Sequence, residues 1–167
     1  YNTLTAGPFS WYLEGAYKTE DTFLDPFKER ITVSGDTITG RFVNGEGTVL
    51  MTSLSFAKKG WGITLEGRRT ENFTFRTRPQ EEGTRGLLNF LPPMVRLNTY
   101  RMTARYAPNV QDLGEQAVQV DVRYAPSRKL SFNVNFSNIA DLNDVLLYRE
   151  LYTEIYLSLI HISEPTR

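Results

Sequence analysis

The chain has 167 residues, in which 19 Lys and Arg balance 19 Asp and Glu, and it contains no cysteine. The charge balance provides no global field for nucleic acid or an anionic surface, and the missing thiols exclude disulfides, thiolate metal sites and cysteine nucleophiles. No apolar run approaches the ~18–20 residues of a membrane-spanning helix, which excludes a helical membrane protein and leaves a membrane barrel of strands open.

The first element is FSWYLEGAYK at 9–18. Its period is two, the mark of a strand with one apolar face. Phe9, Trp11, Leu13, Gly15 and Tyr17 alternate with Ser10, Tyr12, Glu14, Ala16 and Lys18. A long polar connection is expected over 19–47. TVLMTSLSFAK (48–58) and WGITLEGR (61–68) then form one hairpin across a tight turn. Leu50, Leu54, Phe56, Trp61, Ile63 and Leu65 take one face, while Met51, Ser53, Ser55, Thr64, Glu66 and Arg68 take the other.

A second long connection covers about 70–95. Beyond it, TYRMTARY (99–106) sets Tyr100, Met102, Ala104 and Tyr106 against Arg101, Thr103 and Arg105. QAVQVDVRY (116–124) sets Val118, Val120, Val122 and Tyr124 against Gln119, Asp121 and Arg123. KLSFNVNFS (129–137) is the cleanest run, with Leu130, Phe132, Val134 and Phe136 against Ser131, Asn133, Asn135 and Ser137. A shorter connection at 139–146 precedes YRELYTEIY (148–156), a strand whose apolar face the pattern does not decide. ARYAP and VRYAP end two successive strands alike, with a proline that cannot extend a ladder.

Alternation alone fits a soluble sandwich, with the apolar face inside, or an outer-membrane barrel, with that face toward lipid. Three features favour the barrel. Several runs reach the ~9–11 residues that a tilted strand needs to cross hydrocarbon. Aromatics sit near strand ends (Phe9, Tyr17, Phe56, Trp61, Tyr106, Tyr124 and Phe136), as an interfacial girdle requires. Tight turns also alternate with long loops, as at the two unequal rims of such barrels. The expected fold is therefore mainly β, an antiparallel up-and-down meander forming a fragment of a transmembrane β-barrel. Glu14, Glu66, Arg68, Arg101, Arg105, Asp121 and Arg123 become candidate lumen-facing charges. The arginines would either set anion preference in a pore or pair with Asp121 and Glu66 and plug it.

The stretch from Leu87 to Pro126 carries a resemblance. Asn89, Phe90, Leu91 and Pro92, the pair Thr99-Tyr100, then Gln111, Gly114 and Glu115, and last Gln119, Asp121 and Tyr124 stand in an order similar to that of an uncharacterised family. Its members are barrel-like outer-membrane proteins of Bacteroidota and relatives, a domain of unknown function. EGAYKTED, NGEG, KKGWG and RRTENFTFRTR resemble its earlier elements, so the likeness covers nearly all of 1–156. SRKLSFNV stands where relatives have Gly-Gly-Lys-Tyr-Gly, and YAP where they tend to have Tyr-Pro-Tyr, which places the chain on a distant branch. The resemblance implies a fold and a location, but no activity and no functional residues.

The chain closes on LSLIHISEPTR (157–167), which contains the only histidine, His161. This segment matches nothing in the resembled family. It is identical to the translation of a transposase-adapter oligonucleotide used in preparing sequencing libraries, so His161 carries no functional expectation. Residues 1–156 are expected to be a partial barrel lacking both ends, since about seven strands cannot close the even-stranded barrel of a single bacterial chain.

Other sites are weaker. The acids Glu20, Asp21, Asp25 and Glu29, and separately Asp141 and Asp144, resemble calcium ligands only loosely, without the glycine and distal glutamate of a calcium loop. RTRPQEEGTR gathers Arg76, Arg78 and Arg85 with Glu81 and Glu82, a mixed-charge loop with some capacity for lipid phosphates. No catalytic residue, cofactor or metal is expected, and no enzyme. The expected function is passage of a small solute through the outer membrane, or a structural barrel; the expected partners are outer-membrane lipid and small solutes, not nucleic acid. The alternatives are the barrel part of an energised nutrient receptor and a soluble β-sandwich binding module.

Overall fold

Strands of period two build a stable sheet only if neighbours share a register that keeps like residues on one face. The computed structural model, which describes residues 1–81, 85–96 and 110–157, has that arrangement. Its strands are β1 (Asn2–Ala6), β2 (Phe9–Ile31), β3 (Thr37–Lys58), β4 (Trp61–Glu71), β5 (Gly114–Ser127), β6 (Leu130–Asp141) and β7 (Leu146–Leu157). Each pairs antiparallel with the next, giving a seven-stranded up-and-down sheet. β1 and β7 are its edges, so the sheet is open, as a segment cut from a barrel would be.

The register carries the alternation from strand to strand. Trp11 faces Leu54, Leu54 faces Leu65, Leu65 faces Val120, Val120 faces Phe136, and Phe136 faces Leu151. One step along, Ser53 faces Glu66, Gln119 and Ser137 follow, and Glu150 ends the row. The undecided face of the last run is now fixed: Leu151 and Ile155 join the apolar side, both 67% exposed, and Glu150, Tyr152 and Glu154 join the polar side.

Three connections differ from expectation. The expected loop at 19–47 is mostly strand, because β2 and β3 run on together to a turn at 32–36. This arm was hidden by register shifts at Lys18/Asp21 and Asp25/Glu29, each of which resets the period, and by Pro26 and Gly40 within it. The connection at 139–146 shrinks to a turn between Asp141 and Leu146, with the Asp141 carboxylate accepting from the backbone N–H groups of Asn143 and Val145 at 2.8 Å. VRYAP does not end its strand. β5 continues to Ser127, and the register shift between Tyr124 and Ser127 absorbs the proline.

Among the described residues there are seven strands, six of which match expected runs, and β1 is the addition. β1 is too short to register as an alternating run. The run at 99–106, with Arg101 and Arg105, lies outside the described residues, and β4 pairs directly with β5.

β5 therefore begins beside the end of β4, with Glu71 opposite Gly114. The Asn72 N–H donates to Leu113 O at 2.9 Å, and its side-chain amide donates to Gly45 O and Glu46 O on the arm. Gly114 has φ +138°, and a Cβ there would lie 2.4 Å from Thr70 O. Gly114→Ala is expected to cost about 2 kcal/mol or more, from backbone strain plus this clash. Gly62→Ala, whose Cβ would find only Arg123 at 3.9 Å, is expected to be nearly neutral. Denaturant midpoints followed by tryptophan fluorescence check both.

Candidate functional site

Burial in this sheet is inverted. A soluble sheet hides its apolar face and exposes its polar one. Here Trp11, Leu50, Leu54, Trp61, Leu65 and Leu151 are each more than 40% exposed, whereas Asn135 and Ser137 are at most 1% exposed. Buried polar groups are the informative exception to ordinary packing. Most of them lie on one face from β4 to β6, including Arg68, Thr70, Glu115 and Asn133, with Lys18 on β2 and Asn72 beyond β4 also buried.

At the centre is a buried ion pair. Arg68 Nη2 lies 2.6 Å from Glu115 Oε1, with side-chain exposures of 7% and 1%. Arg68 sits opposite Ala117, so the pair is diagonal across β4 and β5. The Glu115 N–H donates to Thr70 Oγ1 at 3.2 Å, which reinforces the same corner. The other Arg68 terminal nitrogen donates to Pro92 O at 2.5 Å, while Nε has no hydrogen-bond partner.

Pro92 belongs to a segment that lies on the polar face. Met94 is 6% exposed and packs with Ala117 and Ile139; Val95 and Tyr148 border the cluster. Arg96 pairs with Asp121 and donates to Asn133 Oδ1 at 3.1 Å. Asp121 also accepts from Arg123 Nε at 2.9 Å.

Five of the seven candidate charges can now be placed, all on this face. Arg68, Asp121 and Arg123 belong to the network just described, but Arg68 pairs with Glu115, not with Asp121 or Glu66. Glu14 accepts from the Tyr12 hydroxyl, and Glu66 from Ser53 Oγ at 3.4 Å. Arg101 and Arg105 lie outside the described residues, as does His161. Sequence reasoning missed Glu115 and Arg96 as site residues. Both lie outside the alternating runs, Glu115 one residue before its run, and only their placement in space gives them a role.

The apolar face has an aromatic edge at the tight-turn rim. Phe9 and Phe56 have ring centroids 4.9 Å apart, Trp61 and Tyr124 4.2 Å, and Tyr124 and Phe132 6.2 Å. Tyr17 lies toward the other rim. Phe136, expected near a strand end, is opposite Val120 in the middle of the band. Tyr106 lies outside the described residues.

The weaker sites do not assemble. Asp21 accepts from Lys18 at 3.4 Å, Asp25 from the Phe27 N–H at 3.0 Å, and Asp144 from Gln116. Among the described residues, no group of three or more His, Cys, Asp or Glu could hold a metal ion. Arg76 pairs with Asp112 at 2.9 Å, and Glu81 accepts from Thr77; Glu82 lies outside the described residues. A cleft of about 680 Å³ lies between the arm and the segment after β4, lined by Phe23, Phe42, Phe73 and Phe90 with Asn72 and Arg76.

Fold and site define an open antiparallel meander with an exposed apolar face and a partly buried, hydrogen-bonded polar face. The chain belongs to a family of unknown function, DUF6029, whose model matches residues 2–158. No curated protein and no solved structure matches it.

Removing one partner of a buried ion pair strands the other charge and costs ~3–5 kcal/mol. Arg68→Ala and Glu115→Ala should each lose about that much stability, whereas the double variant Arg68→Met, Glu115→Leu should fall within ~2 kcal/mol of the parent. Urea titrations of the three variants provide the comparison.

Proposed function

We propose that this chain forms part of the wall of an outer-membrane β-barrel, with its apolar band toward lipid and its polar face lining the interior. The observation that carries the reading is the inverted burial: large apolar side chains are exposed across the sheet while charged and amide side chains are buried behind them. No second layer covers the apolar face among the described residues, which a sandwich would need.

The dimensions support it. From Phe9 to Tyr17 the band of β2 extends ~27 Å along the strand, or ~20 Å along the membrane normal at a tilt of ~40°. That approaches the ~25 Å apolar band of such barrels. Polar groups on the band are satisfied within the wall: Trp11 Nε1 donates to Thr52 Oγ1 at 2.9 Å, and the Thr52 hydroxyl donates to Tyr12 O at 3.2 Å. Three tight turns (7–8, 59–60 and 128–129) share one rim, and the arm and the excursion after β4 lie at the other.

The proposed role is passage of small polar solutes or a structural wall, with no chemistry performed and no cofactor.

The two tryptophans test the reading directly. Trp61 lies opposite Lys58 and Trp11 opposite Leu54, so Trp11 should sit ~10 Å deeper. In vesicles, Trp61→Phe should leave a fluorophore quenched best by lipids brominated deep in the acyl chain. Trp11→Phe should leave one quenched best by shallow bromines. Absence of quenching in both, with a protein that stays monodisperse without detergent, would sink the proposal.

A further inference from the structure

We propose that residues 92–96 form an internal strap that closes the barrel interior, with Met94 and Arg96 as the side chains that hold it shut. The proposal rests on the polar face being a lumen and adds a gate to it. Four strands take part in the docking. Arg68 on β4 binds Pro92 O; Ala117 on β5 and Ile139 on β6 receive Met94; Asp121 on β5 and Asn133 on β6 hold Arg96; Tyr148 on β7 borders the cluster. From β4 to β7 the wall is ~14 Å wide at ~4.8 Å per strand. The strap also descends it, since the Ala117 and Asp121 rows are ~13 Å apart.

The wall is shaped for this segment. The residues on its inner face are mostly polar, yet the cross-strand row Glu14, Met51, Arg68, Ala117, Ile139, Tyr148 turns apolar on β5 and β6, at Ala117 and Ile139. In a solvated interior these apolar residues would face water for no gain. With Met94 seated, Ala117 is 2% and Ile139 1% exposed. These two positions are an apolar footprint on a polar wall, and the strap carries the matching side chain. Arg96 then secures the far end by charge, partly exposed, with 29% of its side chain accessible. The apolar contact gives the closed state its stability, and the charge contact fixes where the strap lies. Solutes that pass once the strap lifts would be small and hydrophilic, because the wall beneath it offers Asn135, Ser137 and Gln119.

The test uses the full protein in vesicles, with Ile139→Cys as a reporter in a segment that has no cysteine of its own. A membrane-impermeant maleimide should label it slowly. Adding Met94→Asp, or separately Arg96→Ala, should speed labelling at least about tenfold, the factor that ~1.4 kcal/mol produces, and should raise conductance across planar bilayers. Arg96→Ala is the milder change and serves if Met94→Asp fails to fold. Equal labelling in parent and both variants overturns the strap, and so does faster labelling with unchanged conductance. Tryptophan quenching, run on the same samples, separates the two failures. Quenching with no change in labelling or conductance overturns the strap alone, whereas absence of quenching overturns the lumen and the gate together.

Discussion

The ion pair between Arg68 and Glu115 is the contact on which the arrangement of the polar face depends. It joins the last turns of β4 to the first residues of β5, the corner where the chain leaves the sheet and returns to it. The same guanidinium holds Pro92 O, so the excursion is tied to the wall where it turns inward. Burying two charges is costly, and their attraction repays it only when the remaining hydrogen-bonding capacity is met. Here most of it is: the Glu115 carboxylate also accepts from the Gln111 N–H at 3.4 Å and Arg68 also donates to Pro92 O, while Arg68 Nε has no partner. An apolar pair at these positions would fill the same space but would leave Pro92 O without the Arg68 donor.

The remainder of the sheet follows from shared register. From Lys58↔Trp61 to Thr48↔Glu71, β3 and β4 pair without interruption, and β4 and β5 do so from Trp61↔Tyr124 to Glu71↔Gly114. An uninterrupted ladder of period-two strands keeps every side chain on its assigned face; a slip of one residue would exchange the faces of a whole strand. The shifts at Tyr124/Ser127 and Ile139/Ala140 lie near the ends of their pairings, and the other two lie in the arm of β2 and β3 beyond the end of β4, where no third strand constrains the pair. There a bulge costs only its own neighbours.

This division explains what the sequence disclosed. The faces of β2 near Phe9, of β3, β4, β5 and β6, and the turns at 58–60 and 127–129, were legible because alternation and turn residues are local signals. The arm was not legible, because two bulges break the period over 19–47 and its residues mix Phe23, Leu24 and Phe27 with acids and a proline. Neither was the pairing of β4 with β5. Strand adjacency across 72–113 is set by long-range contacts such as Arg68–Glu115, and composition carries no trace of them. Five of the candidate charges were found by their place in alternating runs. Their partners Glu115 and Arg96 were missed because they lie outside those runs.

Exceptions to alternation occur near one another on both faces from β4 to β7. On the apolar face there are polar contacts: Arg69 lies 3.9 Å from Glu71, and Arg149 Nε donates to Asn138 Oδ1 at 2.9 Å. On the inner side, at the same level, the polar face gives way to Ala117 and Ile139 under Met94. Had the apolar residues inside been accidents of packing, no relation to the outer boundary would be expected. In the proposed barrel, this level would be both the place where the wall leaves hydrocarbon and the place where the proposed strap meets the wall, and both reversals would be needed together.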